Sequence, residues 1–194
     1  MVWFVIDGMD GSGKSTCAGL IEENLRSRNR SVKVCSHPDT SCVAGKLERR
    51  FLLGKGRISK ILATVCFIFD VLDSLTGKWL SGEKYDDYIF VRYSMSAAYL
   101  SENSYKKAFR IIRKVFPEPD CAVLVDVDAD TSMSRIKSRG EELEIFENRE
   151  DLANTRRKML NLSEGWHVID NTRPPEEVSA DLSDFVDRVL KEFS

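Results

Sequence analysis

The 194-residue sequence has few of the residues that build stapled or metal-bound folds. Its only histidines are His37 and His167, and its five cysteines (17, 35, 42, 66 and 121) include no C-x-x-C pair. That count is odd and the spacing is wrong for a zinc site, so a disulfide framework and structural zinc are both disfavoured. Reduced thiols in a cytoplasm are the simpler expectation. Long hydrophobic runs are also missing. The densest stretch, 61–72, is broken by Asp70 and is too short to span a bilayer. The opening run 2–6 lacks the basic flank of a signal peptide. Net charge is only −2, which argues against a general nucleic-acid binder. No internal repeat, low-complexity segment or linker divides the chain, so a single domain over 1–194 is expected.

What is present is an alternation of short apolar runs with longer amphipathic segments. Strands are predicted at 2–6, 31–36, 88–91, 121–127 and 166–169. Helices are predicted at 14–28, 43–53, 58–80 (one or two), 94–99, 104–115, 131–138 capped by Asp130, 152–162 and 175–193. Pro174-Pro175 followed by Glu176 and Glu177 suits a helix start. The acidic stretch 141–150 reads as a mobile flap. Strand-helix alternation predicts an α/β fold with a largely parallel sheet.

One motif carries specific chemistry. Gly8-Met9-Asp10-Gly11-Ser12-Gly13-Lys14-Ser15 matches G-x-x-x-x-G-K-[ST], directly after a predicted strand and opening a predicted helix. Glycines let successive N–H groups turn inward around phosphate oxygens, and the helix start adds its positive dipole end. Lys14 is the residue that reaches the β- and γ-phosphates of ATP, facing solvent when no ligand is there. Ser15 is the Mg²⁺ ligand, and Thr16 is a neighbouring hydroxyl with a weaker claim. Arg92, at the end of an apolar strand, is expected at the ligand crevice. Tyr93, Tyr99 and Ser96 read equally as pocket or packing. Phe67, amid Val65, Ile68 and Phe69, reads as core. Arg156-Arg157-Lys158 reads as a solvated helix face. The loop fixes a bound nucleotide and leaves the reaction open. The absence of an N-K-x-D segment weighs against a GTPase.

The ordered landmarks resemble the thymidylate kinase family. The loop I-D-G-M-D-G-S-G-K-S-T is similar to that family's F-E-G-x-D-G-S-G-K-S-T. His37-Pro38-Asp39-Thr40-Ser41 with Gly45-Lys46, Arg92-Tyr93 with Ser96, and Pro119-Asp120 resemble later segments. So do Arg135-x-x-x-Arg139-Gly140 with Phe146-Glu147, and Ile169-Asp170-Asn171-Thr172. The resemblance implies a P-loop NTPase fold with a five-stranded parallel sheet and a lid near 135–150. It implies a homodimer that moves the ATP γ-phosphate to dTMP with Mg²⁺. Lys14, Arg92, Asp10 and Arg139 would be catalytic. Gly8, Asp10, Gly11, Ser12, Gly13, Lys14, Ser15, Thr16, Arg139, Asn171 and Thr172 would bind ATP. Asp10, Pro38, Phe67, Arg92, Ser96 and Phe146 would meet the acceptor.

The chain departs from the family at definite points. The usual D-R-Y reads Val91-Arg92-Tyr93, and Thr40 and Val71 stand where arginines are usual. Asp7, Asp39, Asp86 and Asp87 are the candidate replacements at the metal, and Arg49, Arg50 and Arg57 at the acceptor. Glu141, Glu142 and Glu144 fill the lid between Arg139 and Arg149. Three readings follow: a dTMP kinase, a P-loop kinase for another nucleotide or small metabolite, or a nucleotide-binding regulatory relative.

Overall fold

A computed structural model describes residues 1–39, 42–53, 57–80, 84–140 and 147–193. Five strands form one sheet: β1 (Val2–Asp7), β2 (Val32–Ser36), β3 (Asp87–Val91), β4 (Cys121–Asp126) and β5 (His167–Asp170). Their order is β2-β3-β1-β4-β5, and every pairing is parallel. β1 is central and all six of its residues are buried, because a parallel strand covered on both faces reads as an unbroken apolar run.

Helices cover the two faces. On one, α1 (Lys14–Ser27) and α7 (Pro175–Glu192) pack against Phe4, Ile6 and Ile89. Cys17, Ala18, Ile21 and Leu25 form the buried stripe of α1, and Val178, Leu182, Phe185, Val186 and Val189 that of α7. As expected, α7 opens on proline with Glu176 and Glu177 in its first turn. The other face carries the aromatic cluster Trp3, Phe90, Tyr93, Phe109 and Phe116. Against it lie α3 (Arg57–Leu80), α4 (Tyr105–Val115) and α6 (Arg149–Leu162). The stretch expected as one helix or two is the single 24-residue α3, and α2 (Val43–Leu52) packs against it. Ser94–Tyr99 is a 3₁₀ turn.

Several expectations need correction. α5 (Ala129–Ser138) is capped by Asp128, whose carboxylate accepts from the amides of Asp130 at 2.9 Å and Thr131 at 2.8 Å. Asp128 is the last extended residue after β4; Asp130 already lies in the helix and pairs with Arg149 instead. The basic run is not uniformly solvated. Arg156 grips Asp126 at 2.8 and 2.7 Å, and Arg157 grips Glu102. Lys158 is buried and donates to the Leu100 carbonyl at 2.6 Å. The lid residues Glu141, Glu142, Glu144 and Phe146, and Thr40 in the acceptor segment, lie outside the described residues.

Topology places the site. From β1 the chain crosses one face through α1. From β3 it crosses the other through the 3₁₀ turn and α4. The exits of β1 and β3 therefore diverge and leave a crevice at the carboxyl end of the sheet.

Candidate phosphate site and adjoining cavity

The loop after β1 has the geometry of an anion cradle. Gly11 and Gly13 hold φ values of 73° and 95°, a region that side chains disfavour. Space forbids a side chain there too. A Cβ on Gly13 would lie 2.3 Å from Asn171 Nδ2, and one on Gly11 2.6 Å from the Ser132 carbonyl. Gly13 is the N-cap of α1 and offers no side-chain cap, so the first amides of that helix keep their donor capacity. Ser12 Oγ is fully buried with no hydrogen-bond partner among the described residues. An uncapped helix start and an orphaned hydroxyl in one tight loop fit a polyphosphate.

Lys14 is not solvent-facing, which corrects the expectation from the sequence. It is 6% exposed, and its ammonium donates to the Met9 carbonyl at 2.8 Å and lies 3.8 Å from Asp10 Oδ1. The loop curls over its own lysine. Burial, with Arg92 adding repulsion, lowers its pKa to about 8. Ser15 and Thr16 are exposed on the first turn of α1.

Asp10 ties the loop to the exit of β3. Its carboxylate takes Arg92 Nη2 at 2.5 Å on one oxygen and the Tyr99 hydroxyl at 2.9 Å on the other. Burial alone would raise its pKa, but Arg92, Lys14 and Tyr99 outweigh it and bring it down to about 2. Burial and the Asp10 charge push the Tyr99 phenol well above its ordinary range. Beyond this pair opens a cavity of about 200 Å³. Asp10, Arg92, Ser96 and Tyr99 line one end, and Phe67 and Glu48 line it from α3 and α2. Phe67, core by pattern, is both: 5% exposed, it packs edge-on against His37 and forms cavity wall.

Other predicted residues fall elsewhere. Asn171 spends its amide on the Ser12 carbonyl at 2.7 Å, and the Thr172 hydroxyl donates to Asp170 at 2.6 Å. Arg139 sits beside the buried Glu147, 3.7 Å away and half exposed. Pro38 follows β2 through a cis bond and does not line the cavity. Asp86 and Asp87 lie at the amino end of β3, the wrong end of the sheet for a metal near the loop. Asp7 is near, but three main-chain amides occupy its carboxylate. Arg49 and Arg50 are exposed on α2. Among the described residues, no group of three or more His, Cys, Asp or Glu side chains is placed to hold a metal.

Two roles lie outside the sequence expectations, in which Arg135 belongs to the lid and Glu48 has no part. Arg135 braces the loop by donating to the carbonyls of Asn171 at 2.9 Å and Ser12 at 3.3 Å. Glu48 is 4% exposed at the cavity. Its spacing from Gly45 and Leu52, i−3 and i+4 on the buried face of α2, is the signal that would have found it.

The parallel sheet and the cradle at the end of its first strand define a P-loop nucleotide-binding fold. Comparison narrows this. The thymidylate kinase family model matches residues 6–182. Probable thymidylate kinases of Pyrobaculum aerophilum and Archaeoglobus fulgidus are 30% and 29% identical to this chain, over 98% and 95% of it and 99% and 94% of theirs. The thymidylate kinase structure from Candida albicans shares its fold, with a TM-score of 0.71 at 22% identity, over 96% of this chain and 91% of that one. The chain belongs to the thymidylate kinase family.

Proposed function

We propose that this protein transfers the γ-phosphate of ATP to dTMP, giving ADP and dTDP. One observation carries the reading. The Asp10–Arg92 pair joins the phosphate cradle to the mouth of an apolar cavity, so that donor and acceptor sites share a wall. Transfer requires the two phosphates to be aligned with charge neutralised between them. Gly8, Gly11, Ser12, Gly13, Lys14 and Thr16 hold the ATP phosphates, and Arg139, Asn171 and Thr172 lie toward the adenine. Phe67 stacks on the acceptor base beside Ser96, and Arg92 holds the acceptor phosphate. Ser15 is the residue that would hold Mg²⁺, which supplies neutralising charge on the phosphates.

The domain spans 1–194, with a lid at 135–150 that keeps water from the reaction. A homodimer is proposed from two exposed apolar groups: Leu62, Val65 and Phe69 at helical spacing on α3, and Ile111 and Val115 on α4. The five cysteines are all free thiols, in keeping with a cytoplasmic protein. Among the described residues, no helix is long and apolar enough to cross a membrane.

A second reading keeps the transfer and changes the acceptor. Val91 favours it, because a buried valine stands where the family usually has a carboxylate beside the acceptor arginine. Purified protein incubated with MgATP and a panel of nucleoside monophosphates tests both. ADP release that depends on dTMP and disappears in Lys14→Ala supports the first. Turnover with another acceptor alone replaces it with the second. Tight ATP binding without acceptor-dependent ADP defeats both and leaves a regulatory relative.

A further inference from the structure

Arg92 stands at the site in an unusual backbone state. Its φ is 68°, and among the described residues only Asn29, in the turn after α1, shares a positive φ without being glycine. Left-handed backbone is unfavourable for a residue with a Cβ and persists only where its surroundings impose it. Those surroundings are specific. On the carboxyl side, the amides of Tyr93 and Met95 both donate to Asp7 Oδ2, at 2.9 and 3.0 Å, while Oδ1 takes the Gly8 amide at 3.1 Å. On the opposite side, His37 Nδ1 lies 3.0 Å from the Arg92 carbonyl and 3.2 Å from that of Val91. Its Nε2 lies 2.9 Å from Ser74 Oγ.

This arrangement fixes the imidazole tautomer. Nδ1 faces two acceptors and must carry the proton, so Nε2 accepts from the Ser74 hydroxyl. Burial lowers the pKa of His37, which keeps the ring neutral in that role. The Arg92 amide is itself tied to the Ile6 carbonyl at 2.9 Å. The peptide groups flanking Arg92 are thus gripped by β1, by the exit of β2 and, through Ser74, by α3. The guanidinium, in turn, lands on Asp10.

We propose that Asp7 and His37 are positioning residues: together they force the Arg92 backbone into its left-handed turn and so aim the guanidinium at the acceptor phosphate. The proposal rests on the transferase reading above. It also accounts for the chemistry at Val91: where the family usually has a carboxylate, this chain has a buried valine, and the neighbouring arginine is set by main-chain clamps. Asp7 also bonds the first amide of the phosphate loop, so one carboxylate registers the donor loop against the acceptor arginine.

Asp7→Ala removes both acceptor oxygens. His37→Phe keeps the aromatic packing against Phe67 and Phe90 and removes the ring donor. Each is expected to lower kcat/KM for dTMP on the order of tenfold to a hundredfold. In His37→Phe, which does not touch the loop, calorimetric affinity for ATP should stay within about threefold. In an Arg92→Ala background neither change should weaken dTMP binding further, because both act through that side chain. Equal losses with and without Arg92 overturn the proposal. So does a His37→Phe defect confined to ATP. A readout independent of turnover is the amide proton shift of Tyr93 and Met95. Both should move upfield in Asp7→Ala, and unmoved resonances overturn the clamp. If the unmodified protein phosphorylates no monophosphate, the transferase reading fails, while the amide shifts still decide the clamp.

Discussion

The two ends of the sheet bury the same kind of charge for different purposes. At the amino end, Asp87 is fully buried and its oxygens are filled by Arg30 at 2.5 and 2.7 Å and by the Val2 amide at 3.0 Å. Around it, the exposed Asp120 takes the Trp3 amide at 2.8 Å and the exposed Asp86 takes the amide and hydroxyl of Ser31, each at 2.7 Å. Each group there has its complement within the chain. At the carboxyl end, Asp10, Lys14 and Arg92 are also paired, but they border a cavity, an orphaned Ser12 hydroxyl and an uncapped helix. Buried charge by itself therefore does not mark a site. A site is marked by buried charge with unspent hydrogen-bonding capacity beside it.

Mutations at the two ends should separate these purposes. The largest effect is expected from Lys14→Ala, which should lower turnover on the order of a thousandfold by removing the cation at the transferring phosphate. ADP release under saturating substrates measures it. Next is Val91→Asp. Val91 is 3% exposed within the α1 and α7 cluster, so an added carboxylate should destabilise the fold by about 3 kcal/mol. No gain in dTMP turnover is expected, and urea unfolding with a parallel assay checks both. A rise in activity would mean that the carboxyl end lacked a carboxylate it could use.

Asp87→Asn, at the opposite end, should cost about 2 kcal/mol of stability by weakening the Arg30 and Val2 bonds. Turnover per folded molecule should stay within about twofold, since the site is distant. A specific loss of turnover would erase the contrast between the ends. The smallest effect is electrostatic. Lys14 titrates at about 8 instead of 10.5, so the unfolded chain binds more protons between those values and stability rises with pH across that window. An adjoining polyphosphate raises that pKa again, so ATP binding near pH 8 should take up about half a proton. Calorimetry in buffers of different ionisation heat detects the uptake, which should vanish in Lys14→Met.

Much of this was legible in the sequence because local pattern and tertiary role agree. The strand 2–6, the glycine-rich turn and the helix after it declare the cradle within fifteen residues, and the apolar stripes of α1 and α7 announce their buried faces. What stayed hidden depends on distant partners. Asp7 reads as a spare carboxylate until Tyr93 and Met95 arrive beside it. Asp130 reads as the cap in the sequence, and only the end of β4 gives that role to Asp128. Lys14 looks exposed in any motif, yet the curl of its own loop buries it. Glu48 hides in a helix whose inner face is visible only through spacing.

The braces on the phosphate loop also set an order of events during synthesis. Its carbonyls are held by Ser132 at a separation of 122 residues, by Arg135 at 123 and by Asn171 at 159. A nascent chain carries the complete motif well over a hundred residues before the groups that lock its shape are translated. Contacts so far apart in sequence close late. Nucleotide grip therefore waits on residues translated long after the loop itself.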